Sequence, residues 1–181
     1  MTTKKQAGKS SGAGSARKPT MAKPHKLDSI GSLDDFIPYK LSVVANRVSQ
    51  SIGRLFETRF NLQVPEWRIL MALYAYGTLS FNEVVDRTSM DKARVSRAQR
   101  RLVDLKMITV QNDPNDGRKI FLSITRDGAK MCKAILPEAV RTQGWFLEGL
   151  TDEEQMQLEN ILNKLMARSQ LLLGGKSPLE K

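Results

Sequence analysis

The chain has 181 residues, 40% of them hydrophobic and 27% charged, which suits about one domain with a core of its own. Its single cysteine, Cys132, excludes an internal disulfide framework and fits a reducing, cytoplasmic setting, and no apolar run approaches the ~20 residues of a spanning helix. The formal charge of +10 attracts polyanions, either nucleic acid or an anionic surface.

That charge is uneven. Lys4, Lys5, Lys9, Arg17, Lys18, Lys23 and Lys26 stand in the first 26 residues with no acidic neighbour. The remainder holds 22 basic and 19 acidic residues, a net of +3. Residues 1–32 are rich in Lys, Gly, Ser, Ala and Pro and have little to bury, so a disordered basic tail is expected, with Met21 a second candidate start. A solubilising role is favoured over a DNA-binding arm because the tail has no base-reading feature. It shows no apolar segment of the kind a signal peptide carries, and its lack of an apolar face disfavours a transit peptide.

Over residues 33–60, Leu41, Val44, Val48, Ile52 and Leu55 recur at spacings of three and four, which predicts one long helix ending near Asn61. Pro65 opens a second helix, with Trp67, Leu70, Met71 and Tyr74 on one face and Gly77 at its end. Thr78-Leu79-Ser80 is short and extended. Ser80 and Glu83 form a capping box for a third helix through Arg87, and Thr88 or Ser89 is expected to cap a fourth, with Asp91 in its first turn, running to about Leu105. Ile108–Asn112 and Lys119–Ile124 then read as a two-stranded hairpin around the turn cluster 113–117. Thr125 or Asp127 starts another helix, broken near Pro137. Thr151 and Glu154 box the start of the last helix, which carries Leu158, Ile161, Leu162, Leu165 and Met166 on one side before Gly174 and Gly175.

Residues 79–105 are a candidate helix-turn-helix, whose second helix enters the major groove. In that helix Val95, Ala98, Leu102 and Leu105 form an inward stripe. Ala93, Ser96, Arg97 and Arg100 lie opposite it, flanked by Lys92, Arg94 and Arg101. Arginine bonds guanine bidentately, serine donates or accepts, and a small alanine permits close approach to a base. A charged helix face is more often merely solvated. The hairpin that follows alters the balance: an Arg118 at its tip is placed to enter the minor groove while Lys119 touches phosphate. Asp116, two residues before Arg118, is expected to steady the wing by pairing with that side chain.

These pieces together resemble the MarR family of bacterial regulators. The resemblance rests on the long first helix, Pro65-Glu66-Trp67-Arg68, the run Met90-Asp91-Lys92-Ala93-Arg94-Val95-Ser96-Arg97, the Asp-Gly-Arg of the 113–118 wing, and Leu150-Thr151-Asp152-Glu153-Glu154. It extends over about residues 33–173. It implies a mainly α fold with a small β-hairpin wing, that is, a winged helix-turn-helix over 61–125. The dimerisation region would be helical, built from 33–60 and 126–173, with a flexible end at 174–181. It further implies a homodimer on a pseudo-palindromic DNA operator, most often a repressor. A small, frequently aromatic or phenolic ligand would bind between the two parts and weaken DNA binding. Tyr39, Arg47, Trp67 and Arg68 are the effector-binding candidates, since arginine beside aromatics suits an aromatic carboxylate. Core packing for Trp67 and solvation for the arginines are the plainer readings of each alone.

Other residues carry less. Cys132 reads as a small buried hydrophobe rather than an oxidant sensor. His25 is the sole histidine, and no paired carboxylate, phosphate loop or nucleophile motif occurs, so no enzyme, cofactor or metal site is expected. The competing reading is an architectural binder of nucleic acid without sequence preference, driven by the basic tail. It would show a steep salt slope and little discrimination.

Overall fold

The computed structural model describes residues 31–173; the basic tail, with Met21 and His25, and the end at 174–181 lie outside them. Two compact units divide the chain between Ser42 and Val43. In the first, a 3-10 turn at Leu33–Asp35 is capped by Ser32, whose Oγ accepts from the Asp34 N–H at 3.2 Å. The expected single helix over 33–60 is therefore split: α1 begins only at Ile37 and runs to Phe60. Leu33, Phe36, Ile37, Tyr39 and Leu41 are all exposed.

The second unit is organised around α2 (Val64–Tyr76), which packs on α3 (Phe81–Thr88), α4 (Lys92–Asp104) and α5 (Arg126–Leu147). Its core joins Phe56 and Leu62 to Ile69, Leu70 and Leu73 of α2, Val84, Val95 and Leu102 of the next two helices, Leu122, and Ile135. Each such side chain removed from water contributes about 1.5–3 kcal/mol.

Local chemistry sets the element ends. Asn61 adopts a left-handed φ of 53° after α1, a conformation asparagine tolerates. The Glu66 carboxylate accepts from the Gln63 N–H at 2.7 Å, closing the first turn of α2. Gly77, at φ 79°, ends that helix, its N–H reaching the Leu73 carbonyl, and turns the chain outward. The following Leu79–Ser80 is a true strand, β1. It pairs antiparallel with β3 (Ile120–Ile124), which pairs on its other side with β2 (Ile108–Asn112). The sheet thus has three strands where a two-stranded hairpin was expected: β1 covers a β3 edge that would otherwise be open. Ile108 faces Ile124, and Val110 faces Leu122.

Ser80 and Glu83 form the anticipated capping box. Neither Thr88 nor Ser89 caps α4. Thr88 bonds back to the Val84 carbonyl at 2.6 Å, and Ser89 takes a left-handed φ of 51° to end α3. The cap is Asp91, whose Oδ1 accepts from the Arg94 N–H at 2.7 Å. Leu105, expected on the inward stripe, is the C-cap and stands exposed. Thr125 caps α5, and that helix runs unbroken through Pro137. Proline removes one backbone bond, but buried Cys132 and Ile135 before it and half-buried Glu138 and Ala139 after it hold the helix in place. Thr151 and Glu154 exchange their boxed bonds at the start of α6 (Asp152–Leu173). No helix among the described residues is long and apolar enough to cross a membrane.

Candidate nucleic-acid interface

The apolar side of α4 is fixed by Val95, Ala98 and Leu102, all buried. That packing turns Lys92, Ala93, Arg94, Arg97 and Arg100 out to solvent, with Ser96 half-buried beneath them. Arg100 leans on Ser96, its Nη2 lying 3.4 Å from Oγ. No carboxylate pairs with Lys92, Arg94, Arg97 or Arg100 among the described residues, so their donors remain available to a polyanion.

Across a hollow of about 340 Å³ stands the wing. Its walls include Ser80 and Asn82 at the start of α3, Ser96 and Gln99 of α4, and Arg118 and Lys119 before β3. The turn is built by its acidic residues. Asp113 Oδ1 accepts from the Asn115 N–H at 2.8 Å, and Asp116 Oδ1 accepts from the Arg118 N–H at 3.1 Å. Backbone bonds between 113 and 119 and between 116 and 119 close it. Asp116 therefore orients Arg118 through its main chain. Its charge faces Lys119, with Nζ 3.7 Å from Oδ2, rather than the Arg118 guanidinium as expected. The reason is reach: a carboxylate bonded to the N–H two residues ahead points along the turn, towards position 119.

Arg101 does not join the outward set. It sits two turns after Arg94 on the same flank and bends back onto the protein. Nη1 donates to Glu66 Oε1 at 3.2 Å, and Nη2 donates to Asn61 O and Oδ1, each at 3.1 Å. Spacing alone places it beside Arg97; only the buried position of Glu66 reveals its other use. Gln99 was passed over in the sequence, although it lies three residues after Ser96 and lines the hollow facing the wing.

The four effector candidates have different surroundings. Tyr39 is exposed in the first unit. Trp67 packs edge-on against Phe56, ring centroids 5.4 Å apart, as part of the core margin. Arg68 donates to Ser49 Oγ at 2.9 Å, and burial, followed by the nearby positive Arg94, lowers its pKa. Arg47 alone borders an apolar hollow of about 470 Å³ between α1 and α5, with Val48, Ile52, Ala139 and Phe146. Cys132 is fully buried, and burial pushes its thiol up to about 11.

Comparison with known proteins agrees with this geometry. The MarR family model matches residues 60–119. NicR of Pseudomonas putida, an HTH-type transcriptional repressor, is 27% identical over 97 residues, covering 54% of this chain and 61% of NicR. The solved structure of Bordetella bronchiseptica BpsR, whose DNA binding is regulated by 6-hydroxynicotinic acid, superposes with a TM-score of 0.62 at 26% identity. It covers 70% of this chain and 98% of that one. The S. aureus MepR–DNA complex superposes with a TM-score of 0.64 at 21% identity, over 74% of this chain and 98% of that one, and speaks to the fold. NicR is named a repressor of transcription, and BpsR a protein whose DNA binding is regulated. Residues 60–119 thus resemble the MarR family, and the chain has the winged helix-turn-helix fold of these solved structures.

Proposed function

We propose that the protein is a homodimeric, sequence-specific repressor that leaves a pseudo-palindromic operator when a small ligand binds. The observation that carries this is the placement of Arg97 and Arg100 on the outward face of α4, with Arg118 and Lys119 across one hollow from that helix. Arg97, Arg100, Ser96 and Ala93 suit base edges in the major groove. Lys92, Arg94 and Lys119 suit phosphates, and Arg118 suits the adjacent minor groove.

Dimerisation is supported by apolar surface that one chain leaves unpartnered. On α6, Met156, Ile161, Leu162, Leu165 and Met166 are exposed, as are Val140, Trp145 and Phe146 on α5. A two-fold pair would set its recognition helices about one helical turn of DNA apart, roughly 34–36 Å. For the ligand, the hollow bordered by Arg47 suits an aromatic acid better than Tyr39, Trp67 and Arg68. The effector of BpsR is of that chemical class.

Binding to the DNA upstream of the protein's own gene, competed with random duplex at physiological salt, tests the reading. An operator preference of ~10³-fold or more is expected, relieved by aromatic acids. Equal binding to both DNAs, with a steep salt slope, would instead mark an architectural binder.

A further inference from the structure

We propose that Arg101 is a positioning residue, a brace that fixes the pitch of the recognition helix against the α1–α2 corner and so sets which half-site spacing the protein accepts. The proposal rests on the reading of α4 as the DNA-recognition helix.

The brace joins three elements through two groups. Glu66 is only 3% exposed. Its Oε2 is used by the Gln63 N–H at 2.7 Å, and its Oε1 accepts from Arg101 at 3.2 Å. A carboxylate so far from water is costly unless paired, and Arg101 is the cation that pairs with it. The other prong of the guanidinium takes both Asn61 O and Asn61 Oδ1. Asn61 holds the left-handed turn that ends α1. One planar fork thus ties the last turn of α4 to the end of α1 and the start of α2.

Arginine is suited to this joint because its fork spans separate acceptors in fixed geometry, whereas lysine offers a single point charge. Val95, Ala98 and Leu102 are buried in the core and anchor α4 independently of this tie. What the polar tie adds is orientation at the distal end of the helix. In a dimer joined through the apolar faces of α5 and α6, a small rotation of each α4 about that anchor is repeated by symmetry and changes the distance between the two reading faces.

The test uses the full chain and an operator selected by the wild-type protein from random DNA. Affinity is measured for that operator and for versions whose half-site spacing is altered by one base pair in either direction. Arg101→Lys and Glu66→Gln are expected to lose roughly tenfold or more in operator affinity and to discriminate less among spacings, with helical content intact. Glu66 cannot reach DNA, so its effect separates a brace from a phosphate contact. Were Arg101 a phosphate ligand, lysine would substitute for it, and Glu66→Gln would leave binding unchanged or tighter. Wild-type affinity and spacing preference in either variant overturns the proposal. Should Glu66→Gln fail to fold, Asn61→Gly, which keeps the left-handed turn but removes one acceptor, must widen the spacing tolerance, and its failure to do so overturns the brace equally. A wild-type protein that selects no operator would overturn the DNA-recognition reading itself, before any variant is compared.

Discussion

Gly128→Ala should destabilise the domain, although alanine is the better helix former. Gly128 lies in the first turn of α5, where its N–H donates to Thr125 Oγ1 at 3.1 Å. Thr125 is tied to the segment before β2: its hydroxyl bonds the Lys106 and Met107 carbonyls at 2.8 and 3.0 Å, and its N–H also reaches Met107 O. A Cβ at 128 would stand 2.2 Å from Met107 O and 2.9 Å from Ile124 Cγ1, against an ordinary contact of about 3.5 Å. Relief requires the backbone to move by about 1 Å at the root of the wing. Such overpacking costs about 1–3 kcal/mol, and a backbone neighbour puts it at the upper end. Helix propensity returns about 1 kcal/mol. A net loss of about 1–2 kcal/mol follows. Gly144, in the same helix, has nothing within 4 Å of its would-be Cβ, so Gly144→Ala should gain about 0.5–1 kcal/mol. Urea unfolding at one fixed protein concentration measures both, since association couples to stability. A Gly128→Ala midpoint at or above wild type would refute the reasoning.

Arg97→Ala and Arg100→Ala should each cost about 1–3 kcal/mol of operator discrimination, read as the ratio of affinities for operator and random duplex; an unchanged ratio would show that α4 presents another face. Arg118→Ala should weaken binding while leaving the bases preferred under α4 unchanged, measured by repeating the selection from random DNA. Cys132 should resist alkylation at pH 8 until the chain unfolds. Burial pushes its folded pKa to about 11, above the ordinary thiol value of 9.0, so the buried thiol favours the fold fully below about pH 9, and that contribution is lost as pH rises towards about 11. Wild type should therefore lose stability over that window more than Cys132→Ala does, and parallel pH profiles would contradict the assignment.

Much of the fold was legible because its signals are local. The Ser80–Glu83 box, the Pro65 start, Gly77 and the Thr151–Glu154 box each act within one turn of helix, and each stands where sequence placed it. What sequence missed depended on distant partners. Leu79–Ser80 becomes a strand only because β3 offers an edge far along the chain, at Phe121 and Leu122. Arg101 looks like its neighbours on α4 until Glu66, 35 residues earlier, is seen to be buried and in need of a cation. In sequence Asp91 reads as a first-turn acid because two hydroxyls, Thr88 and Ser89, precede it. The left-handed Ser89 moved the cap two residues on. Pro137 broke nothing, since core residues flank it on both sides. Trp67 and Arg68 have different partners, Phe56 and Ser49, for the same reason: aromatic and basic residues adjacent on a helix need not face one another.

The central claim is that α4 and the wing read DNA in register from two copies of the chain. A nuclease footprint of the purified protein on its selected operator tests this most directly. The account predicts two protected half-sites related by a dyad, centred about one helical turn apart, with protection of one half-site lost when its bases are scrambled. Uniform protection of any duplex, or a single unpaired site, would contradict it.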